Sequence, residues 1–192
     1  MRSLFSLTMI ETERMILRQW VDSDFEPCVE MNQDPVVLEY FPRLYSPNET
    51  QEMINKMKVS IAEKGWGFWA CELKETGEFI GFIGIEDRFF PEPLKPGTEI
   101  GWRLRKEFWG KGYATEGAKA VLDYAFKTLK LEEVIAFTTV ENRKSRRVME
   151  KLGMIHDPKD DFDHPKVPDG NPLKRHVLYR IQNHESSTSK SV

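Results

Sequence analysis

GTEIGWRLRKEFWGKGYATEGAKAVLDYAFKTL, Gly97 to Leu129, decides how the rest of the chain is read. Its first part alternates, with Thr98, Ile100, Trp102 and Leu104 on one face of an extended strand and Glu99, Gly101, Arg103 and Arg105 on the other. Its last part has the period of a helix, and Ala114, Ala118, Val121, Leu122, Ala125, Phe126 and Leu129 share one stripe. Gly110 and Gly112 stand at the junction, where glycine lets the backbone take positive φ and come close to a ligand. The first helical turn beyond them offers unpaired N–H groups and the positive end of a helix dipole, which together suit a phosphate. Lys111 adds a full charge. The stretch reads as strand, glycine loop and helix, holding a phosphorylated ligand.

Working outward, Met15 to Arg18 reads as a first strand, followed by Asp22-Ser23-Asp24 as helix caps for a segment carrying Phe25, Cys28, Val29 and Met31. Ser46-Pro47-Asn48-Glu49-Thr50 caps a second helix, with Met53, Ile54, Met57, Ile61 and Ala62 on its apolar stripe. Phe68 to Leu73 and Phe79 to Ile85 flank Thr76-Gly77 and read as a hairpin. Pro91 to Pro96 is too proline-rich for regular structure. Beyond the central helix, Val134 to Val140 reads as a strand and Glu141-Asn142 as the cap of a helix reaching Leu152. Met154-Ile155-His156 starts a strand, 157–173 is read as a polar, flexible loop, and Arg175 to Ile181 is the last strand. No repeat or linker splits the chain, so one mixed α+β domain is expected over 1–183, with a mobile polar tail over 184–192.

With 192 residues, 40% apolar and 31% charged, the chain can bury an ordinary core. A net charge of -3 argues against general nucleic-acid binding. No run approaches the ~18 apolar residues of a membrane span. MRSLFSLTMI lacks a small-residue cleavage site and is read as mature chain. Cys28 and Cys71 are far apart in sequence and are expected to be free thiols in a reducing, cytoplasmic setting. The histidines (His156, His164, His176, His184) and the aspartates of 157–163 show no metal-ligand spacing, so no metal is expected.

Trp109-Gly110-Lys111-Gly112-Tyr113-Ala114 resembles the pyrophosphate loop of the GCN5-related N-acetyltransferases (GNAT family), usually Q/R-x-x-G-x-G/A. Gly112 and Ala114 fill the small positions, while Trp109 departs from the usual Gln or Arg, as is common in the RimJ/RimL-type branch that acetylates protein N-termini. The chain resembles that branch from about Ile10 to Ile181. The resemblance implies a mostly antiparallel twisted sheet of about seven strands with helices on both faces. It also implies acetyl-CoA as donor, held by Trp102, Leu104 and Arg105, by Trp109 to Thr115, and by Asn142, Ser145 and Arg147. The acceptor it implies is a primary amine, foremost a protein N-terminus, with polyamines and aminoglycoside-like amines as further options. A homodimer is among the assemblies open to the chain.

Glu99 is the candidate general base, because an alkylammonium must lose a proton before it can attack. Its plainer reading is a solvated residue paired with Arg103, and Glu86 is the reserve base. Ser145 and Tyr179 are the candidate proton donors to a leaving thiolate. The cations Arg143, Lys144, Arg146 and Arg147 crowd the start of a helix, where an anion would offset them. Acidic residues over 22–49 (Asp22, Asp24, Glu26, Glu30, Asp34, Glu39, Glu49) favour a cationic acceptor. Two other functions stay open: an acyl-CoA-binding module without turnover, and a nucleotide-dependent oxidoreductase reading Gly110-x-Gly112 as part of G-x-G-x-x-G. Against the latter, Thr115 occupies the third small position.

Overall fold

The computed structural model describes residues 8–88 and 96–183. The readings of the first seven residues, of 91–95 and of the tail from 184 lie outside them. Along the chain run β1 (Ile10–Glu11), β2 (Met15–Arg18), α1 (Phe25–Gln33), α2 (Pro47–Lys64), β3 (Phe68–Leu73), β4 (Phe79–Arg88), β5 (Gly97–Leu104) and α3 (Tyr113–Lys127). Then come β6 (Glu133–Thr139), α4 (Arg143–Lys151), β7 (Ile155–His156), β8 (Phe162–Asp163) and β9 (Arg175–Gln182). Pairing is antiparallel between β1 and β2, β2 and β3, β3 and β4, and between β9 and each of β6, β7 and β8. Only β5 and β6 are recorded as parallel among the described pairs. The strand count exceeds expectation because β1 and β8 are two-residue pieces that periodicity does not reveal, while β7 is the short strand expected at Met154-Ile155-His156.

Two compact units result, one from Met1–Ile85 with Gly101–Ala120, the other from Glu86–Ile100 with Val121–Val192. Each draws on two stretches of sequence, so β4, β5 and α3 pass from one to the other.

In the first unit, β3 and most of β4 are buried on both faces, which is why they read as near-continuous apolar runs rather than alternating ones. Met15, Leu17, Trp69, Ile80, Ile83, Ile54 and Ile61 form the core, and each such side chain contributes about 1.5–3 kcal/mol. Ser46 caps α2 as expected: its hydroxyl accepts from Glu49 N–H while the Glu49 carboxylate accepts from Ser46 N–H. Gly65, at φ 78°, ends that helix. Burial pushes the Cys28 thiol up to about 12 and the Cys71 thiol further still, so neither is a nucleophile at neutral pH.

Asp24 does not cap α1. Its carboxylate is 1% exposed and takes the Arg18 guanidinium through both oxygens, at 2.8 and 2.9 Å. It also accepts from Val21 N–H at 2.9 Å, and Glu72 takes Arg18 Nε at 2.7 Å. A forked, desolvated partner outcompetes a backbone N–H for a carboxylate. Arg18→Lys keeps the charge but loses the fork, and it is expected to lower unfolding free energy by about 1.5–3 kcal/mol in urea titration.

In the second unit, β6 lies antiparallel to β9 from Glu133↔Gln182 to Thr139↔His176, and parallel to β5 at Glu99↔Ile135. Val134, Ile135, Ala136, Val177 and Leu178 are buried there, with Phe162 packed 5.4 Å from the Phe137 ring. The 157–173 segment is thus no free polar loop. Pro158–Asp160 forms a turn, Phe162–Asp163 adds β8 to β9, and Asp160 and Asp163 pair with Arg180 and Arg175. The buried Phe162 and Val167, with carboxylates that match the basic residues of β9, pin the segment down.

Candidate active site

The loop is built by three local devices. β5 ends at Leu104, a short turn covers Lys106–Phe108, and Gly110 and Gly112 follow at φ 73° and 86°. Glycine adopts these values without the Cβ penalty other residues meet. Trp109, where the family usually has Gln or Arg, donates from Nε1 to the Leu104 carbonyl at 2.8 Å and closes the loop onto the end of its strand. α3 starts at Tyr113, and its first internal N–H bond runs from Glu116 to the Gly112 carbonyl at 3.0 Å. The N–H groups of Tyr113, Ala114 and Thr115 have no acceptor among the described residues. A Cβ built on Gly110 would meet nothing within 4 Å, and one on Gly112 would meet only Arg14 Nη2, at 3.4 Å. These are the features of a diphosphate cradle. The Arg105 guanidinium, by contrast, bridges Glu78 at 3.0 Å and Glu107 at 2.7 Å.

Sequence reasoning missed Arg14. Its Nη1 donates to the Lys111 carbonyl at 3.0 Å, and its guanidinium lies 4.3 Å over the Tyr113 ring. Its N–H and Nε both donate to the Glu116 carboxylate, at 2.9 and 2.6 Å, and the Thr12 hydroxyl donates at 2.6 Å. Burial pushes the Glu116 carboxyl up, but the bonds from Thr12 and Arg14 outweigh it and hold the group below the ordinary carboxylate range. The signal was available. A carboxylate in the first turn after a phosphate loop would repel the ligand unless a cation neutralised it, so Glu116 implies a basic partner.

In the second unit, Glu99 is 8% exposed and accepts from Arg88 Nε. This corrects both elements of the plainer reading, since the residue is buried and its partner is Arg88 instead of Arg103. Burial pushes the Glu99 carboxyl up; Arg88 opposes this, and Glu86 reinforces it. Glu86 itself is exposed and pairs with Arg88 at 3.0 Å. Asn142 caps α4 by accepting from Ser145 N–H at 3.2 Å, and its Nδ2 donates to Thr138 Oγ1 at 2.9 Å. Of the cationic run, Arg146 donates to the Val140 carbonyl and to the Tyr179 hydroxyl, and Arg147 pairs with Glu150 at 3.3 Å. Tyr179 is 3% exposed, with its ring stacked 5.1 Å from His156.

Several acidic residues expected to face a cationic acceptor already have partners. Asp22 pairs with Lys58, Asp24 with Arg18, Asp34 with Lys106 and Glu49 with Arg43. The negative field over 22–49 is therefore weaker than the sequence suggested. Among the described residues no group of three or more His, Cys, Asp or Glu could hold a metal, and no helix is long and apolar enough to cross a membrane.

The sheet is mixed and largely antiparallel, and β5 leads through the glycine loop into α3, the arrangement that the resemblance to acetyl-transferring enzymes implied. Residues 14–155 match the family model of the acetyltransferase (GNAT) domain, and the chain belongs to that family and is an acyltransferase of the N-acetyltransferase type. It is 32% identical over 177 residues to the uncharacterized N-acetyltransferase YnaD of Bacillus subtilis, covering 92% of this chain and 98% of that relative. A second relative, the FsC-acetyl coenzyme A-N(2)-transacetylase of Aspergillus fumigatus, is 33% identical over 138 residues, 68% of this chain and 58% of that protein. The crystal structure of a GNAT-family acetyltransferase from Bacillus anthracis superposes with a TM-score of 0.76 at 30% identity, over 92% of this chain and 99% of that one.

Proposed function

We propose that this enzyme moves an acetyl group from acetyl-CoA to a primary amine by direct attack in a ternary complex, with a protein N-terminal α-amine as the foremost acceptor class. The observation that carries the donor is the open first turn of α3, where the Tyr113, Ala114 and Thr115 N–H groups stand beyond two glycines at positive φ. That a relative is named an acetyl coenzyme A transacetylase supports the same donor. Acetyl-CoA would supply a thioester carbonyl, activated for attack by an amine. The chain's own groups do the rest. The loop amides and Lys111 would hold the diphosphate, with Arg14 keeping Glu116 from repelling it. Asn142 and Ser145 are the second cofactor contact of our reading. Glu99 would take the proton of the ammonium, for which a carboxyl raised by burial is better matched than an ordinary one. Tyr179 and Ser145 are the groups that would return a proton to sulfur.

Acetyl-CoA at about 100 times its Kd is expected to stabilise the protein by about 2.7 kcal/mol in a thermal melt, while NAD(P)H leaves it unchanged. Thiol release with a panel of primary amines should accompany this. Stabilisation by NAD(P)H alone would overturn the donor assignment; stabilisation by acetyl-CoA with no thiol release from any amine would reduce the reading to binding without turnover.

A further inference from the structure

Arg103, on β5, is placed unlike the other inward-facing arginines. Arg14, Arg18, Arg88, Arg105 and Arg180 each face a carboxylate at ion-pair distance. Arg103 faces none among the described residues. Its Nη1 donates to Asn32 Oδ1 at 2.7 Å, and its Nε is buried without any hydrogen-bond partner. Asn32 is 0% exposed and is held in turn by Thr50, also 0% exposed, through Nδ2 to Oγ1 at 3.1 Å. A buried amide and hydroxyl on α1 and α2 thus serve to orient one guanidinium. Three rings surround it, Phe41 at 4.3 Å and Tyr45 and Phe82 both at 5.2 Å.

Aromatic faces favour a cation but supply no countercharge, and the Asn32 carbonyl is neutral. Desolvation here pushes the guanidinium below its usual range, although arginine stays charged at neutral pH. Holding a half-buried, oriented cation whose Nε is fully buried, without an anion, costs stability unless the anion arrives with a ligand. The site is within reach of solvent, because Phe41, the ring nearest the guanidinium, is 37% exposed and Leu44 of the same segment is 42% exposed.

We propose that Arg103 is a specificity-determining residue that binds a carboxylate of the acceptor, so that the preferred substrate is a primary amine that also carries a carboxylate. This rests on the acetyl-transfer reading for its reaction, though not for its binding. The carboxylate is the α-carboxylate of a free amino acid or an acidic side chain near a peptide N-terminus, and the chemistry is the same. It narrows the acceptor class, since polyamines and other purely cationic amines offer Arg103 nothing but repulsion.

The test uses matched pairs: free amino acids against their amides, and short peptides with Glu against the same peptides with Gln. Thiol release with acetyl-CoA is expected to show kcat/KM higher by about 10- to 100-fold for the acid of a pair, the range of a charge-assisted hydrogen bond. The pair that shows the gap tells a free amino acid from a peptide. Arg103→Gln should narrow it by lowering the acid's kcat/KM toward the amide's, and Arg103→Lys should restore part of it. Equal use of acid and amide in both pairs, or a preference for diamines, overturns the proposal. The second readout is independent of turnover: without any donor, the preferred acid should raise Tm where its amide does not, and Arg103→Gln should abolish the rise. If thiol is released from no amine yet this rise is seen, the carboxylate site stands and the catalytic reading falls. If neither is seen, both fall.

Discussion

Glu99→Gln is expected to lower kcat/KM for amine acetylation about 100-fold or more, within the ~10²–10⁴ contributed by positioned general bases. The substitution keeps the shape of the side chain and removes only the capacity to take a proton. Arg88 retains Glu86 as an ion partner, so the variant should fold and bind acetyl-CoA as the wild type does. The pH profile separates this role from a structural one. Burial raises the Glu99 carboxyl above the ordinary range, so the acid limb of wild-type kcat/KM should lie above that of an ordinary carboxylate and vanish in the variant. Stability carries the same signature with a definite sign. A carboxyl raised on folding stays protonated and costs nothing at acid pH, and its stabilising contribution is lost as pH rises through the folded value. Glu99→Gln should therefore match the wild type in Tm at acid pH and gain on it above that value. Glu86→Gln is the control, exposed and outside the buried pair, and an equal loss of activity there would make Glu86 the base instead.

What could be read in the sequence was what depends on neighbours in the chain. Gly110 and Gly112 take the positive φ that their spacing implied, because a glycine loop into a helix is a local device. Ser46 and Asn142 cap their helices for the same reason, each accepting an N–H three residues on. Asp24 shows how that logic fails. The motif was a good cap, but the residue six positions earlier, brought round by β2, offered a guanidinium instead. The parts of the site that were hidden all join residues distant in sequence. Arg14 meets Glu116 across 102 positions, and Arg103 meets Asn32 across 71. Glu99 meets Arg88 only because β4 and β5 place them side by side. Strand alternation assigned Glu99 a face, yet whether that face was wet depended on what packed over it. The 157–173 segment looked unstructured because its buried apolar side chains, Phe162 and Val167, are two isolated residues, too few for any periodicity.

Gly81→Ala is expected to cost about 4 kcal/mol or more, enough to leave a marginally stable domain largely unfolded at 37 °C. Two separate penalties act there. Gly81 sits at φ 138°, outside what a residue with a Cβ adopts without strain, for which about 1–3 kcal/mol is usual. Its Cβ would also stand 2.2 Å from the Arg103 carbonyl oxygen and 2.7 Å from Leu104 Cα, both backbone atoms that cannot rotate away. Relieving that overlap means pushing β5 off β4 at the point where Arg105 N–H bonds to the Ile80 carbonyl at 2.9 Å, an overpacking cost of about 1–3 kcal/mol more. β3 adds to the constraint, since its register shifts between Cys71 and Glu72 directly opposite Gly81, so the bulge fixes where the glycine must lie. Gly77→Ala isolates the first penalty from the second. Gly77 also has positive φ, at 71°, but a Cβ there meets nothing within 4 Å, so a loss of only about 1 kcal/mol is expected. Chemical denaturation of the two variants beside the wild type decides the matter. If Gly81→Ala loses no more than Gly77→Ala, the close approach of β4 to the strand that carries Arg103 is not a constraint on this fold.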